Sequence, residues 1–257
     1  MTSPMFDLSG HVALITGGNS GIGLGMAHAL AQAGADICVW GTNAERNSAA
    51  ADELSKHGTR VHAVRCDVGE EEQVEGAFAE TVQTLGRVDS CFANAGVSGR
   101  GTSFVEMSLE EFHRVTRVNL DGAFLTLRAA ATHMIERGGG GVLVGTSSVS
   151  AIHGAPRNEA YSASKAGLAS IMRGLAVELA RYGISAHAIT AGWVDTPLAG
   201  KLLHNEKFEA NVMPRMPGRR WGAPSDFGPL AVYLASQPAG GFHTGDSFVI
   251  DGGYSIF

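Results

Sequence analysis

The 257-residue sequence has little that would mark it for nucleic acid or for a membrane. Its 19 Lys and Arg are outnumbered by 25 Asp and Glu, the net charge is −6, and no basic cluster appears beyond the Arg219–Arg220 pair. Nucleic-acid and anionic-membrane partners therefore lack their electrostatic footprint. No uncharged apolar run reaches the length of a membrane span. Met1–Leu8 has no basic stretch followed by an apolar core, so no secretory signal is read. Cysteine is sparse: Cys38, Cys66 and Cys91 lie far apart, without CxxC or Cys/His spacing. Buried free thiols in a reducing compartment, the cytoplasm, are the expectation. The ten histidines also lack metal spacing, and no catalytic metal is expected.

What is abundant is glycine, with 35 residues and no Gly-X-Y repeat. That points to tight turns and close backbone approaches. Short apolar runs alternate with longer amphipathic ones. Strands are expected at His11–Thr16, Asp36–Trp40, Arg60–Arg65, Val88–Asn94, Val142–Ser147, Ile184–Ile189 and Phe248–Ile250. Helices are expected at Gly21–Ala33, Asn43–His57, Glu70–Leu85, Leu109–Arg137, Tyr161–Tyr182 and Asp226–Ser236. Asn43 or Thr42 would cap the second helix and Gly58 would stop it. Strands that alternate with helices imply parallel pairing through right-handed crossovers. The fold class is α/β: one doubly wound parallel sheet of about seven strands, helices on both faces, in a single domain over residues 1–257. Only Trp193–Ala223 breaks the rhythm, with Pro197, Pro214 and Pro217. It is long for an ordinary connection and leaves the carboxyl end of a late strand, so a substrate lid at 193–223 is favoured over an idle surface excursion.

After the first expected strand comes Thr16-Gly17-Gly18-Asn19-Ser20-Gly21-Ile22-Gly23, and then a helix. Glycines there let the backbone approach a pyrophosphate, and the helix N-terminus offers free N–H groups. The spacing is Gly-xxx-Gly-x-Gly. Further along stand Asp67-Val68, Ala93-Asn94-Ala95-Gly96, Val118-Asn119, and Tyr161-Ser162-Ala163-Ser164-Lys165. In this order, the set resembles the short-chain dehydrogenase/reductase family over almost the whole chain. The resemblance implies a Rossmann-type fold and a nicotinamide nucleotide. It places the nucleotide on Gly17, Asn19, Ser20, Gly21, Ile22, Gly23, Thr42, Asn43, Asp67, Val68, Asn94, Ala95, Gly96, Gly192, Val194 and Thr196, together with Tyr161 and Lys165. Two departures stand out. Ala93 replaces the first Asn of Asn-Asn-Ala-Gly, weakening a sheet-stabilising role. Ala191-Gly192 replaces Pro-Gly, which would loosen the turn.

Tyr161 and Lys165 are i and i+4 on an expected helix and so share a face. A lysine cation beside a phenol favours the phenolate, making a tunable acid/base. The catalytic residues implied are Ser148, to polarise a substrate oxygen; Tyr161, to exchange its proton; Lys165, also to hold the nicotinamide ribose; and Asn119, whose carbonyl would bind a relay water. Ser147 is the alternative to Ser148. The reaction expected is hydride transfer between NAD(P)(H) and a carbonyl or secondary alcohol, of 3-oxoacyl or sugar/polyol type. An inactive nucleotide-binding regulator, and dehydration or enoyl reduction on the same scaffold, are the competing readings.

The second strand ends Val39-Trp40-Gly41-Thr42-Asn43, with neither an acid nor an Arg at the adenosine ribose position. Asp36 begins that strand and faces the wrong end. Ser20 is not the basic residue of some NADP-dependent relatives. Without an acid to repel a 2′-phosphate, NADP(H) is slightly favoured over NAD(H). Pocket candidates are Ser150, His153, Arg157, Trp193, Leu198 and Leu202, with His153 and Arg157 better read as ordinary loop residues. The partners expected are a small-molecule substrate and further copies of the chain. The family commonly forms tetramers through its long helices, and Ala163, Ala166, Gly167, Ser170 and Gly174 would permit close packing, although intramolecular burial also explains them.

Overall fold

The computed structural model describes residues 4–257, so the first three residues of the Met1–Leu8 segment lie outside the described part. Seven strands form one parallel sheet in the order β3-β2-β1-β4-β5-β6-β7. They are β1 (Val12–Thr16), β2 (Asp36–Gly41), β3 (Val61–Arg65), β4 (Ser90–Ala93), β5 (Gly141–Ser148), β6 (Ile184–Ala191) and β7 (Ser247–Ile250). The connecting helices are α1 (Gly21–Gln32), α2 (Ala44–Leu54), α3 (Glu71–Leu85), α4 (Leu109–Thr116), α5 (Gly122–Arg137), α6 (Glu159–Leu179), α7 (Gly200–Leu203), α8 (Glu206–Val212), α9 (Gly228–Ala235) and α10 (Gln237–Gly240).

Strand alternation divides the core. On β1, Val12 and Leu14 pack in one apolar cluster with α3, α5 and α6, while Ala13 and Ile15 pack in the other with α1 and α9. On β2 the same split sends Cys38 and Trp40 one way and Ile37 and Val39 the other. Both faces are covered, which is why these strands read as continuous apolar runs. The three thiols are buried and unpaired, and burial pushes Cys38 and Cys66 up to about 12 and Cys91 higher still. They are protected from thiolate chemistry at neutral pH. Among the described residues no helix is long and apolar enough to cross a membrane.

Several boundaries move. The stretch expected as one helix from Leu109 to Arg137 is broken by a π-turn at Arg117–Asp121, where the Gly122 N–H reaches back to the Arg117 carbonyl. The Tyr161 helix starts at Glu159 and its α-helical part ends at Leu179, with a 3₁₀ turn to Tyr182. The helix expected at Asp226–Ser236 is a 3₁₀ turn, Pro224–Phe227, followed by α9. Residues 193–223 contain α7 and α8, and the base of the excursion is clasped: Gly222 N donates to Trp193 O (2.8 Å) and Asp195 N to Gly222 O (2.8 Å). Ala191 is held between Ser148 and Ile250, and Gly192 N donates to Ile250 O at 2.9 Å. That turn is therefore fixed without the proline, contrary to the expected loosening.

Candidate active site

Strand order reverses between β1 and β4, and ligands of such sheets bind beyond the carboxyl ends of the strands at that point. A cavity of about 690 Å³ lies there. Of the residues expected to hold a nucleotide, all but Gly23 line it, from Gly17 and Asn19 through Thr42, Asn43, Asp67 and Asn94 to Thr196. Ser148, Tyr161 and Lys165 line it as well, and Asn119 does not.

The glycine turn is shaped by contacts. Gly17 (φ +64°) and Gly21 (φ +53°) adopt left-handed backbone that other residues rarely take. Gly23 is needed for a different reason, because a Cβ there would stand 2.4 Å from Gly17 O and 2.6 Å from Asn94 Nδ2. It sets how closely α1 packs on the turn instead of facing the cavity, a correction to its expected role as a contact. The Ser20 side chain makes no capping bond to α1, so the first N–H groups of that helix are left for an anion. Together with the close backbone approach, that fits a pyrophosphate. Gly23→Ala is expected to weaken both fold and nucleotide binding, lowering stability by about 2 kcal/mol. Denaturant midpoints and nucleotide titrations check it; an unchanged midpoint would show that the helix shifts freely.

Asn94 ties three strands together. Its backbone N–H and that of Ala95 donate to Thr16 Oγ1 (3.0 Å each), its amide nitrogen to Thr16 O (3.0 Å), and its amide oxygen accepts from Thr146 Oγ1 (3.2 Å). Ala93 therefore removes little, because Asn94 carries the link alone.

Asn47 was not anticipated. It is buried, accepts from Asn19 Nδ2 (2.7 Å), and donates to Gly41 O (2.9 Å) and Val64 O (3.0 Å). It joins the glycine turn to the ends of β2 and β3. Arg46 was also missed and lines the cavity. The signal was there: Asn43 caps α2 by accepting from Arg46 N (2.8 Å), which puts Arg46 in the first turn, beside Thr42. Asp36 lies at the far end of β2, paired with Arg60 at 2.7 Å. Asp67 lines the cavity, but its carboxylate is engaged by Arg117 (3.1 Å) and by Gly69 N (3.0 Å).

At the reacting end, neighbouring serines separate by strand alternation. Ser147 Oγ donates to Lys165 O (2.9 Å), anchoring α6. Ser148 Oγ accepts from Ser150 N (3.2 Å), and Ser148 lines the cavity together with Tyr161. Lys165 is 3% exposed, its Nζ lies 5.7 Å from the Tyr161 ring centre, and it donates to Thr146 O at 2.7 Å. Burial lowers Lys165 to about 8. Burial also pushes the Tyr161 phenol above its ordinary value, with the neighbouring Ser148 hydroxyl pulling the other way. The pull of the lysine toward the phenolate acts against this loss of water around the phenol. Asn119, fully buried, sits in the π-turn. Its amide accepts from Val97 N (2.7 Å) and donates to Val97 O (3.0 Å) and Ser164 Oγ (3.2 Å). Such turns free a backbone carbonyl and are frequent beside active sites.

Ser150, Trp193, Leu198 and Leu202 line the cavity, while His153 and Arg157 do not. Arg157 is an exposed loop residue with φ +66°, and the His153 ring packs on Tyr254 at 6.0 Å.

A family model described as enoyl-(acyl carrier protein) reductase matches residues 17–255. The chain belongs to the short-chain dehydrogenase/reductase family. It is 37% identical to an oxidoreductase of Thermotoga maritima, over 97% of each chain. It resembles the crystal structure of a short-chain type dehydrogenase/reductase from Mycobacterium marinum, with TM-score 0.93, 36% identity and 98% of each chain covered. A gluconate 5-dehydrogenase from Burkholderia cenocepacia, solved with NADP and tartrate, has TM-score 0.93 and 34% identity, again over 98% of each chain. The chain is an NAD(P)-dependent oxidoreductase of alcohol and carbonyl groups.

Proposed function

We propose that Tyr161 is the proton donor and acceptor of a carbonyl reductase/alcohol dehydrogenase, with Ser148 holding the substrate oxygen, Lys165 orienting the nucleotide ribose and Asn119 shaping a water path to Lys165. The observation that supports this best is the convergence of Ser148, Tyr161 and Lys165 on one cavity wall, with Lys165 Nζ 5.7 Å from the Tyr161 ring centre. A carbonyl oxygen placed between the two hydroxyls accepts from both. A reduced nicotinamide would supply the hydride to the carbon while Tyr161 gives its proton to the oxygen. The reading is tested with a broad panel of ketones and secondary alcohols followed by nicotinamide absorbance. Cofactor binding without any turnover would favour an inactive regulator.

The nucleotide preferred is NADP(H). Thr42, Asn43 and Arg46 gather beside the end of β2 with no acid among them, so a 2′-phosphate meets donors and a cation. Arg46→Ala is expected to lower kcat/KM with NADPH about tenfold and to leave NADH nearly unchanged. A strong wild-type preference for NADH in steady-state rates would reverse the assignment.

Residues 193–223 are proposed as the substrate lid, and the assembly as a homotetramer in the cytoplasm. Ala163, Ala166, Ser170 and Gly174 are exposed on α6, so intramolecular burial does not account for them. Buried free thiols suit a reducing compartment.

A further inference from the structure

The reacting end of the cavity is walled by neutral groups. Among the described side chains, the cations on its surface are Arg46, Arg114, Arg117 and Lys165. Arg46 sits at the opposite end, on α2. Arg117 is held by Asp67 (3.1 Å) and Glu70 (2.6 Å), and Lys165 by Thr146 O (2.7 Å). Arg114 is spent on Glu111 (2.7 and 2.9 Å) and Ser98 O (2.8 Å). None is left to meet an anion beside Ser148 and Tyr161. What stands there is Trp193 with Leu198 and Leu202 on the excursion, both exposed at 52% and 46%.

Trp193 is held as a fixed face. It follows β6 after Gly192, and its carbonyl accepts from Gly222 N. Phe208 packs on it edge-on at 5.0 Å, and Tyr254 stands perpendicular at 6.3 Å. Arg215 in turn pins Tyr254, lying 4.6 Å over its ring and donating to its hydroxyl at 3.1 Å. The indole N–H is buried without an acceptor. A buried donor left unpaired is unfavourable, so this tryptophan is not placed for its hydrogen bond. Its flat apolar surface remains, and such a surface takes a ring at small entropic cost.

We propose that the substrate is an uncharged alicyclic ketone, or the matching ring secondary alcohol, that lies against Trp193 with Leu198 and Leu202 closing over its apolar edge. This rests on the oxidoreductase reading above and adds the substrate class. A carboxylate here would be desolvated with no cation to meet it. Of the other polar side chains on the cavity, Ser98 donates to Gly99 O (3.3 Å) and Asn158 accepts from Gly99 N (3.2 Å), so with Ser150 they offer a hydroxyl-rich sugar fewer partners than its hydroxyls need.

The test compares 4-methylcyclohexanone, 4-oxocyclohexanecarboxylate and L-sorbose with the nucleotide-loaded enzyme. The first is expected to exceed each of the others in kcat/KM by about tenfold or more. Trp193→Phe keeps a flat face and should hold KM for the ring ketone within about threefold, while Trp193→Ala raises it about tenfold with a smaller change in kcat. If Trp193→Ala does not fold, the exposed pair Leu198→Ala/Leu202→Ala should raise the same KM. In Tyr161→Phe enzyme, 4-methylcyclohexanone should still change the tryptophan fluorescence, and adding Trp193→Phe should remove that change. Preference for the carboxylate or the sugar overturns the class, as does an equal loss of kcat on all three in the variants. If none of the three reacts while the broad panel finds another substrate, the class is wrong and the reaction stands. If the panel is silent too, the reaction itself is lost.

Discussion

Tyr161→Phe is expected to cut turnover by a factor on the order of 10²–10⁴ while nucleotide affinity stays within about threefold. The substitution removes one oxygen and leaves the ring, so packing around α6 is preserved. The lost oxygen is the proposed proton donor. Without it the alkoxide forming from a carbonyl has one donor where it had two and no proton source. Because burial raises the phenol, the wild-type reduction rate should stay flat from pH 6 through neutrality, and alcohol oxidation should climb with pH as the phenolate becomes accessible. Stopped-flow or steady-state absorbance in both directions, with nucleotide titrations alongside, checks it. Wild-type turnover in the phenylalanine variant would remove Tyr161 from the chemistry.

The ordered motifs carried most of the site because each stands where sheet geometry converges. Asn94 follows β4, Ser148 ends β5 and the glycine turn follows β1, so strand ends alone bring them together. Alternation of β-strand side chains also explains why the choice between Ser147 and Ser148 was legible only by resemblance. Both hydroxyls are short and buried, and only the register of β5 against α6 sends one to the Lys165 carbonyl and the other to Ser150 N.

Less legible were features set by tertiary contact. The π-turn at Arg117–Asp121 adds one residue to a helical turn, a change that apolar periodicity over a long helix does not register. Gly23 looked like a phosphate contact because it belongs to the motif, and only the 2.4 Å at which an added Cβ would meet Gly17 O shows that it serves packing. Tyr254 and Arg215 lie far from the motifs in sequence, yet they shape the cavity by bracing Trp193. Asn47 reads as an ordinary helix residue until its amide is seen spanning the glycine turn and two strands.

Lys165→Met is expected to make the protein nearly inactive and more stable at once. Activity should fall by a factor on the order of 10²–10⁴, since the group proposed to hold the nucleotide ribose is gone. Stability moves the other way because the ammonium is buried with a carbonyl as its anchor and no anion beside it. Its folded pKa, about 8, lies below the 10.5 of a free lysine. The unfolded chain thus holds the proton more tightly, and the fold is weakened by about 3 kcal/mol at every pH below 8. That penalty fades as pH rises from 8 to 10.5, where the native state has released its proton and the unfolded state has not. Methionine fills similar volume without charge but loses the bond to Thr146 O, about 1 kcal/mol. The net gain for the nucleotide-free variant is about 1–2 kcal/mol near pH 7, a rise in melting temperature of roughly 2–6 °C. It should shrink toward pH 10. Thermal melts of wild type and variant at pH 7 and pH 10, without nucleotide, measure both signs. A variant less stable than wild type at pH 7 would mean that Lys165 is a structural cation, compensated by something other than its carbonyl, and no longer a group kept at the expense of the fold for its work at the cavity.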